Sequence, residues 1–151
     1  GISHYLIEVG GEVRARGGNP DKREPWRIGI DDPQVIEGRS IKRVIALEDR
    51  SMASSGNYRK FRVDPETGAR YVHTIDPHTG YTRNSNILAS TVLAPNCMVA
   101  DGYATALMAM PLEDSQKLLE ASADLDAYII YLDADGQVAE FMTPGFEALV
   151  R

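Results

Sequence analysis

Apolar and polar positions alternate through the first half of the chain, and the period then lengthens. "HYLIEV" (4–9) and "EVRAR" (12–16) flank Gly-Gly at 10–11, which predicts two short strands. "GGNPDKREP" (17–25) is rich in turn formers and predicts a polar loop. "WRIGI" (26–30) alternates again and ends at "DDP" (31–33), and "SIKRVIAL" (40–47) is β-like. "SMAS" (51–54) predicts a short strand that stops before "SGN" (55–57). "YRKFRV" (58–63) alternates large with basic residues, "DPETG" (64–68) predicts a hairpin turn, and "ARYVH" (69–73) returns from it.

The second half differs. "NILASTVLA" (86–94) predicts a strand. "PNCMVADGYATALMAM" (95–110) is long and rich in Ala and Met, so it predicts a helix with Asn96 as N-cap. "PLEDSQKLLEASA" (111–123) predicts a second helix with Pro111 and acidic residues at its start. "AYIIYLD" (127–133) and "QVAEFMT" (137–143) form a hairpin about "ADG" (134–136), and Thr143 with Pro144 caps a short final helix to Val150. There is no internal repeat. The pattern predicts one α+β domain with a mainly antiparallel sheet and two or three helices.

The 151 residues suit a single domain, and 43% hydrophobic with 25% charged residues is an ordinary globular mix. A formal net charge of −6 argues against nonspecific nucleic-acid binding. Cys97 is the only cysteine, so an intrachain disulfide and a C-x-x-C metal site are both excluded. That fits cytosol and periplasm equally. The opening "GISHYLIEVGGE" carries no initiator Met, signal peptide or lipidation motif, and a strand pattern begins at once. The expectation is a domain cut from a longer protein.

Three stretches carry candidate chemistry. In "ADGYATAL" (100–107), Asp101 and Thr105 are four apart on a predicted helix and share a face. A carboxylate and a hydroxyl are hard oxygen ligands for Mg²⁺ or Ca²⁺, but two oxygens make an incomplete shell. The plain alternative is a solvated Asp and a Thr bonded to its own helix. If this Asp lies on a largely apolar helix, burial would demand a partner. In "YVHTIDPHTGY" (71–81), Asp76-Pro77 and Thr79-Gly80 predict a turn that leaves His73 and the backbone around Ile75 facing a common cleft. A histidine in such a stretch is otherwise structural, and His78 reads as an exposed turn residue. "VGGE" (9–12) and "ASSGNY" (53–58) are glycine-bearing turns that let a flat ligand or phosphate approach, without forming a Rossmann or P-loop signature.

The ordered set is more specific than its parts. "YLIEVGGEVRARG", "PWRIGIDDP", "SMASSGNYRKF", "YVHTIDPHTGY", "STVLAPNCMVADGYATALMAM" and "GFEAL" together resemble the C-terminal half of the ApbE family, the FAD:protein FMN transferases, over essentially all of residues 1–151. The resemblance implies Mg²⁺-dependent transfer of the FMN moiety of FAD to a Ser or Thr hydroxyl of a target protein, with release of AMP. It implies His73 as the catalytic residue, Ile75 as a FAD contact, and Asp101 and Thr105 as Mg²⁺ ligands. Some members carry a second Asp just before the Thr, where this chain has Ala104. Family members are about twice as long, and their N-terminal half supplies further flavin contacts and another metal ligand. Two alternatives use the same site: a Mg²⁺-dependent FAD pyrophosphatase giving FMN and AMP, and a module that only holds FAD. The resemblance further implies a bacterial periplasmic lipoprotein. The half-pocket left exposed in this chain is expected to favour self-association.

Overall fold

In chain order the computed structural model places strands β1 (Tyr5–Val9), β2 (Glu12–Arg16), β3 (Trp26–Asp31), β4 (Ile41–Leu47), β5 (Ser51–Gly56), β6 (Phe61–Val63), β7 (Arg70–Val72) and β8 (Ile87–Ala94). Helices α1 (Cys97–Met108) and α2 (Leu112–Glu120), strands β9 (Asp126–Leu132) and β10 (Val138–Met142), and helix α3 (Pro144–Glu147) follow. The structure describes residues 1–35, 38, 40–57, 61–63, 65–66, 70–72, 74–82 and 85–151, with 61–63 and 70–72 by their backbone.

One sheet of order β1-β2-β5-β8-β9-β10 dominates, and every pairing in it is antiparallel. β3–β4 and β6–β7 are separate antiparallel hairpins. The α+β reading therefore holds. Several expected boundaries shift, α1 spanning Cys97–Met108 within the expected 95–110 and α2 stopping at Glu120 short of residue 123. β5 runs on through Ser55 and Gly56, which pair with Ser90 and Ala89, because β8 is long enough to satisfy their backbone groups. Helix α3 stops at Glu147 instead of reaching Val150. Beyond it the backbone turns to β4: Ala46 N donates to Leu149 O at 2.8 Å, Arg151 N donates to Val44 O at 2.9 Å, and Val150 bridges Ile45.

The period-2 alternation of the strands divides the core between two faces. Val92, Ala94, Ala127 and Ile129 point toward α1 and α2. Leu93, Met52, Val13, Tyr128 and Ile130 point the other way, against the β3–β4 hairpin and Phe146. The alanines of α1 explain themselves here. Ala100 and Ala104 are fully buried and let the helix settle close to the strands, where Ser90 Oγ donates to Ala104 O at 2.7 Å.

A polar network around the Asp126 carboxylate closes the far end. Arg50 pairs with Asp126, whose Oδ1 also accepts from Thr143 Oγ1 at 2.8 Å. Gly145 lies so near this carboxylate that an added Cβ would collide with it. Because Asp126 is tied on two sides, Gly145→Ala should cost about 2 kcal/mol, a fall in Tm of about 4–8 °C in a thermal melt.

Tyr128 predicts a second measurable property. It is buried, its ring packs at a tilt with centroids 5.6 Å from Phe146, and its hydroxyl has no hydrogen bond of normal geometry among the described residues. Burial, and then the nearby Glu140 carboxylate, push its pKa well above the ordinary phenol value. The folded chain therefore keeps a proton that the unfolded chain gives up near pH 10. Stability should fall as pH rises past about 10, and Tyr128→Phe should flatten that alkaline limb in denaturant titrations.

Candidate functional site

Helix α1 carries two of the candidate residues, and its start is fixed from two sides. Asn96 caps it, with Oδ1 accepting from Val99 N at 2.9 Å. Arg14 Nη1 of β2 donates to Pro95 O at 2.7 Å, tying the preceding turn to the sheet. With Ala100, Ala104, Leu107 and Met108 turned inward, the helical period leaves Asp101 and Thr105 outward, both exposed and one turn apart. Asp101 is thus solvated, and burial does not compel it to find a partner. Ala104 packs on the sheet, off the Asp101–Thr105 face.

Thr105 Oγ1 lies 3.3 Å from Ser55 Oγ at the end of β5. Both border a cavity of about 300 Å³ that is also lined by Gly56, Asn57, Thr74 and Ile75. Thr74 Oγ1 donates to Asn57 Oδ1 at 3.1 Å, joining the 74–82 segment to the end of β5. Ile75 is 50% exposed and bridges Thr82. The predicted turn between them forms: Gly80 N donates to Asp76 O at 2.8 Å, Asp76 N donates to Tyr81 O at 2.9 Å, and Gly80 takes φ 73°. His78 is exposed, and its N–H donates to Asp76 Oδ1 at 2.9 Å. His73 lies outside the described residues.

Two more depressions adjoin. On the opposite sheet face, a cavity of about 810 Å³ is lined by Gly10, Gly11, Gly29, Ser54, Gly56 and Thr91, among others. The two glycine-bearing stretches that read as separate turns therefore converge on one space. Ser54 Oγ and Thr91 Oγ1 lie 2.8 Å apart on its wall. Ser55 and Gly56 line both this cavity and the smaller one. Asp101 opens instead onto a recess of about 270 Å³ with Ile7, Val9, Glu12, Arg14, Cys97 and Met98. Ile75 and Thr105 are brought to one cavity, and Asp101 stands beside it one helical turn away. Ser55 lies in the 53–58 stretch already marked as open to a ligand, but nothing in the sequence singles out its hydroxyl from that of Ser54.

The donor chemistry fits part of a magnesium shell. Asp101 and Thr105 offer hard, solvent-open oxygens on one helix face. Among the described residues no group of three or more His, Cys, Asp or Glu side chains could hold a metal, so these two would need further oxygens from water, phosphate or additional polypeptide. No helix among the described residues is long and apolar enough to cross a membrane.

Comparison with known proteins identifies the family. The ApbE family model matches residues 1–129. A FAD:protein FMN transferase of Vibrio cholerae is 43% identical over 122 residues, covering 81% of this chain and 35% of the relative. One of Haemophilus influenzae is 38% identical, covering 91% of this chain and 38% of the relative. Among solved structures, the flavin transferase ApbE from Vibrio cholerae superposes with a TM-score of 0.79 at 36% identity, covering 97% of this chain and 44% of that one. The apo form of Pseudomonas stutzeri flavinyl transferase ApbE gives 0.77 at 32% identity, covering 99% and 44%. The chain thus spans less than half the length of these relatives, and it belongs to the ApbE family.

Proposed function

We propose that this chain is the portion of a flavin transferase that presents one side of a FAD site, and that the complete polypeptide moves the FMN moiety of FAD to a Ser or Thr hydroxyl of a target protein with release of AMP. The observation that supports this best is the meeting of Thr105 and Ile75, from separate segments, on one cavity of about 300 Å³. A further cavity of about 810 Å³ shares the Ser55–Gly56 wall, and spaces of this order suit an extended dinucleotide.

Asp101 and Thr105 would hold Mg²⁺. When bound, the ion would neutralise pyrophosphate charge that otherwise repels a nucleophile. The chain's own residues do the rest. Ile75 contacts FAD, and the 76–80 turn holds Ile75 at the cavity. His73 takes the proton from the acceptor hydroxyl as its oxygen bonds to the FMN-side phosphorus. The bond from that phosphorus to the bridging oxygen breaks, and AMP leaves with the electron pair. By the same family resemblance we place the complete protein in the bacterial periplasm, held by a lipid anchor.

The experiment is to incubate the complete polypeptide with FAD, Mg²⁺ and an acceptor protein, and to follow AMP and protein-bound FMN. AMP with FMN covalently on the acceptor supports transfer. Free FMN with AMP identifies a pyrophosphatase, and absence of AMP a binding module. Residues 1–151 alone should fold, since a chain of this size buries roughly two-thirds of its unfolded surface. They should bind FAD weakly or not at all by calorimetry, because the cavities are open on the side that further polypeptide would close. Tight binding by this chain alone would contradict the half-site reading.

A further inference from the structure

The hydroxyl of Thr105 departs from the habit of the other helical hydroxyls in this chain. A Ser or Thr on a helix commonly turns its hydroxyl back to the carbonyl four residues earlier. In and just beyond α2, Ser115 Oγ donates to Pro111 O at 3.1 Å and Ser122 Oγ to Leu118 O at 2.7 Å in this way. Thr105 makes no such bond to Asp101 O. Among the described residues its one side-chain hydrogen bond reaches across to β5, where Ser55 Oγ lies 3.3 Å away.

Strand register explains why Ser55 meets the helix there. Successive side chains of a strand point to opposite faces. Ser54 pairs with Thr91 on the side of the large cavity, and Ser55 faces α1. Directly opposite Ser55 on β8 stands Ser90, whose buried Oγ donates to Ala104 O at 2.7 Å. Two serines paired across the sheet thus grip consecutive residues of one helical turn. Ser90 holds the backbone of α1, whereas Ser55 holds only the Thr105 side chain.

We propose that Ser55 is a positioning residue for the cation site: it accepts the Thr105 proton and keeps Thr105 Oγ1 off its own helix, so that the Thr105 lone pairs stay open on the face shared with Asp101. The inference rests on Asp101 and Thr105 as the Mg²⁺ ligands. A neutral hydroxyl ligates a cation through a lone pair, so its proton must point elsewhere. Donation to the Asp101 carbonyl would turn the oxygen back along the helix. The Ser55 contact turns it across to the cavity that Ser55 and Thr105 both line. Because Ser90 fixes the helix independently, loss of the Ser55 hydroxyl should leave the fold intact.

The test compares Ser55→Ala with Ser55→Thr, which keeps the hydroxyl. The first readout needs no metal: the Thr105 rotamer in residues 1–151, from three-bond NMR couplings to its methyl carbon. The wild-type chain and Ser55→Thr should share one rotamer, and Ser55→Ala should populate another, with the hydroxyl returned to Asp101 O. The second readout is Mn²⁺ affinity by electron paramagnetic resonance in the complete polypeptide, with Mn²⁺ replacing Mg²⁺. Loss of a group that orients a metal ligand costs about 10–100-fold, and the uncharged Thr105 should place Ser55→Ala at the lower end of that range. Ser55→Thr should restore the affinity, and thermal melts of both variants should match the wild type. Unchanged Thr105 couplings or unchanged Mn²⁺ affinity in Ser55→Ala overturns the proposal, as does a loss of affinity shared by Ser55→Thr or accompanied by a lower melt. Asp101→Ala controls the underlying reading. If it binds Mn²⁺ like the wild type, the ligand assignment fails and the proposal with it. If it loses Mn²⁺ while Ser55→Ala does not, the Ser55 role alone fails.

Discussion

Asp101→Ala, made in a complete ApbE polypeptide carrying this sequence, should abolish Mg²⁺-dependent turnover. Asp101 is the anionic member of the exposed pair on α1, and an alanine methyl offers no oxygen in its place. Loss of an outer-shell partner alone typically costs 10–100-fold in metal affinity or activity, so loss of a ligand should exceed about 100-fold. The fold should be unaffected, because the side chain points to solvent and no described core contact depends on it. The measurement is turnover as a function of Mg²⁺ concentration, beside a thermal melt. Wild-type activity at limiting Mg²⁺ would remove Asp101 from the site. Thr105→Ala is expected to be milder, since the Ser55 hydroxyl 3.3 Å away can occupy part of the vacated space.

His73→Asn should slow the chemical step while leaving FAD affinity nearly unchanged. A positioned base contributes about 10²–10⁴-fold, and the loss should fall in that range. The competing role for His73 is to hold the chain entering the 76–80 turn. In that case the substitution would weaken FAD binding and thermal stability together, because Thr74 and Ile75 follow directly and line the same cavity. Single-turnover rate, FAD affinity and melting temperature on one variant separate the two. A slow enzyme with intact binding and stability keeps the catalytic role. A variant that loses both, yet turns over normally at saturating FAD, would sink it.

Local signals are decisive where a single residue type sets a backbone conformation. Asn96 caps α1, Thr143 caps α3, and the Asp76-to-Gly80 turn closes as its residues require. Asp101 and Thr105 emerged on one exposed face because the inward positions of α1 are small and apolar. What escaped depended on partners distant in sequence. Ser55 and Gly56 look like turn residues until β8 is laid beside them. The 149–151 segment looks like the end of a helix until β4 competes for its backbone groups. The convergence of Gly10–Gly11 with Ser54–Gly56 on one cavity is likewise a product of strand order, with β2 inserted between β1 and β5. No periodicity within either stretch encodes it.

The pairing of Ile45 with Val150 has a consequence for biogenesis. On the ribosome, β3 and β4 can close as a local hairpin early, but the outer edge of β4 has no partner until residues 149–151 have been made. Until then that edge presents the Val44 carbonyl and the Ala46 N–H without these partners, a template for adventitious strand pairing. Residues 149–151 therefore act as a latch on a hairpin begun about a hundred residues earlier. Nascent chains stalled before residue 149 should be the aggregation-prone species.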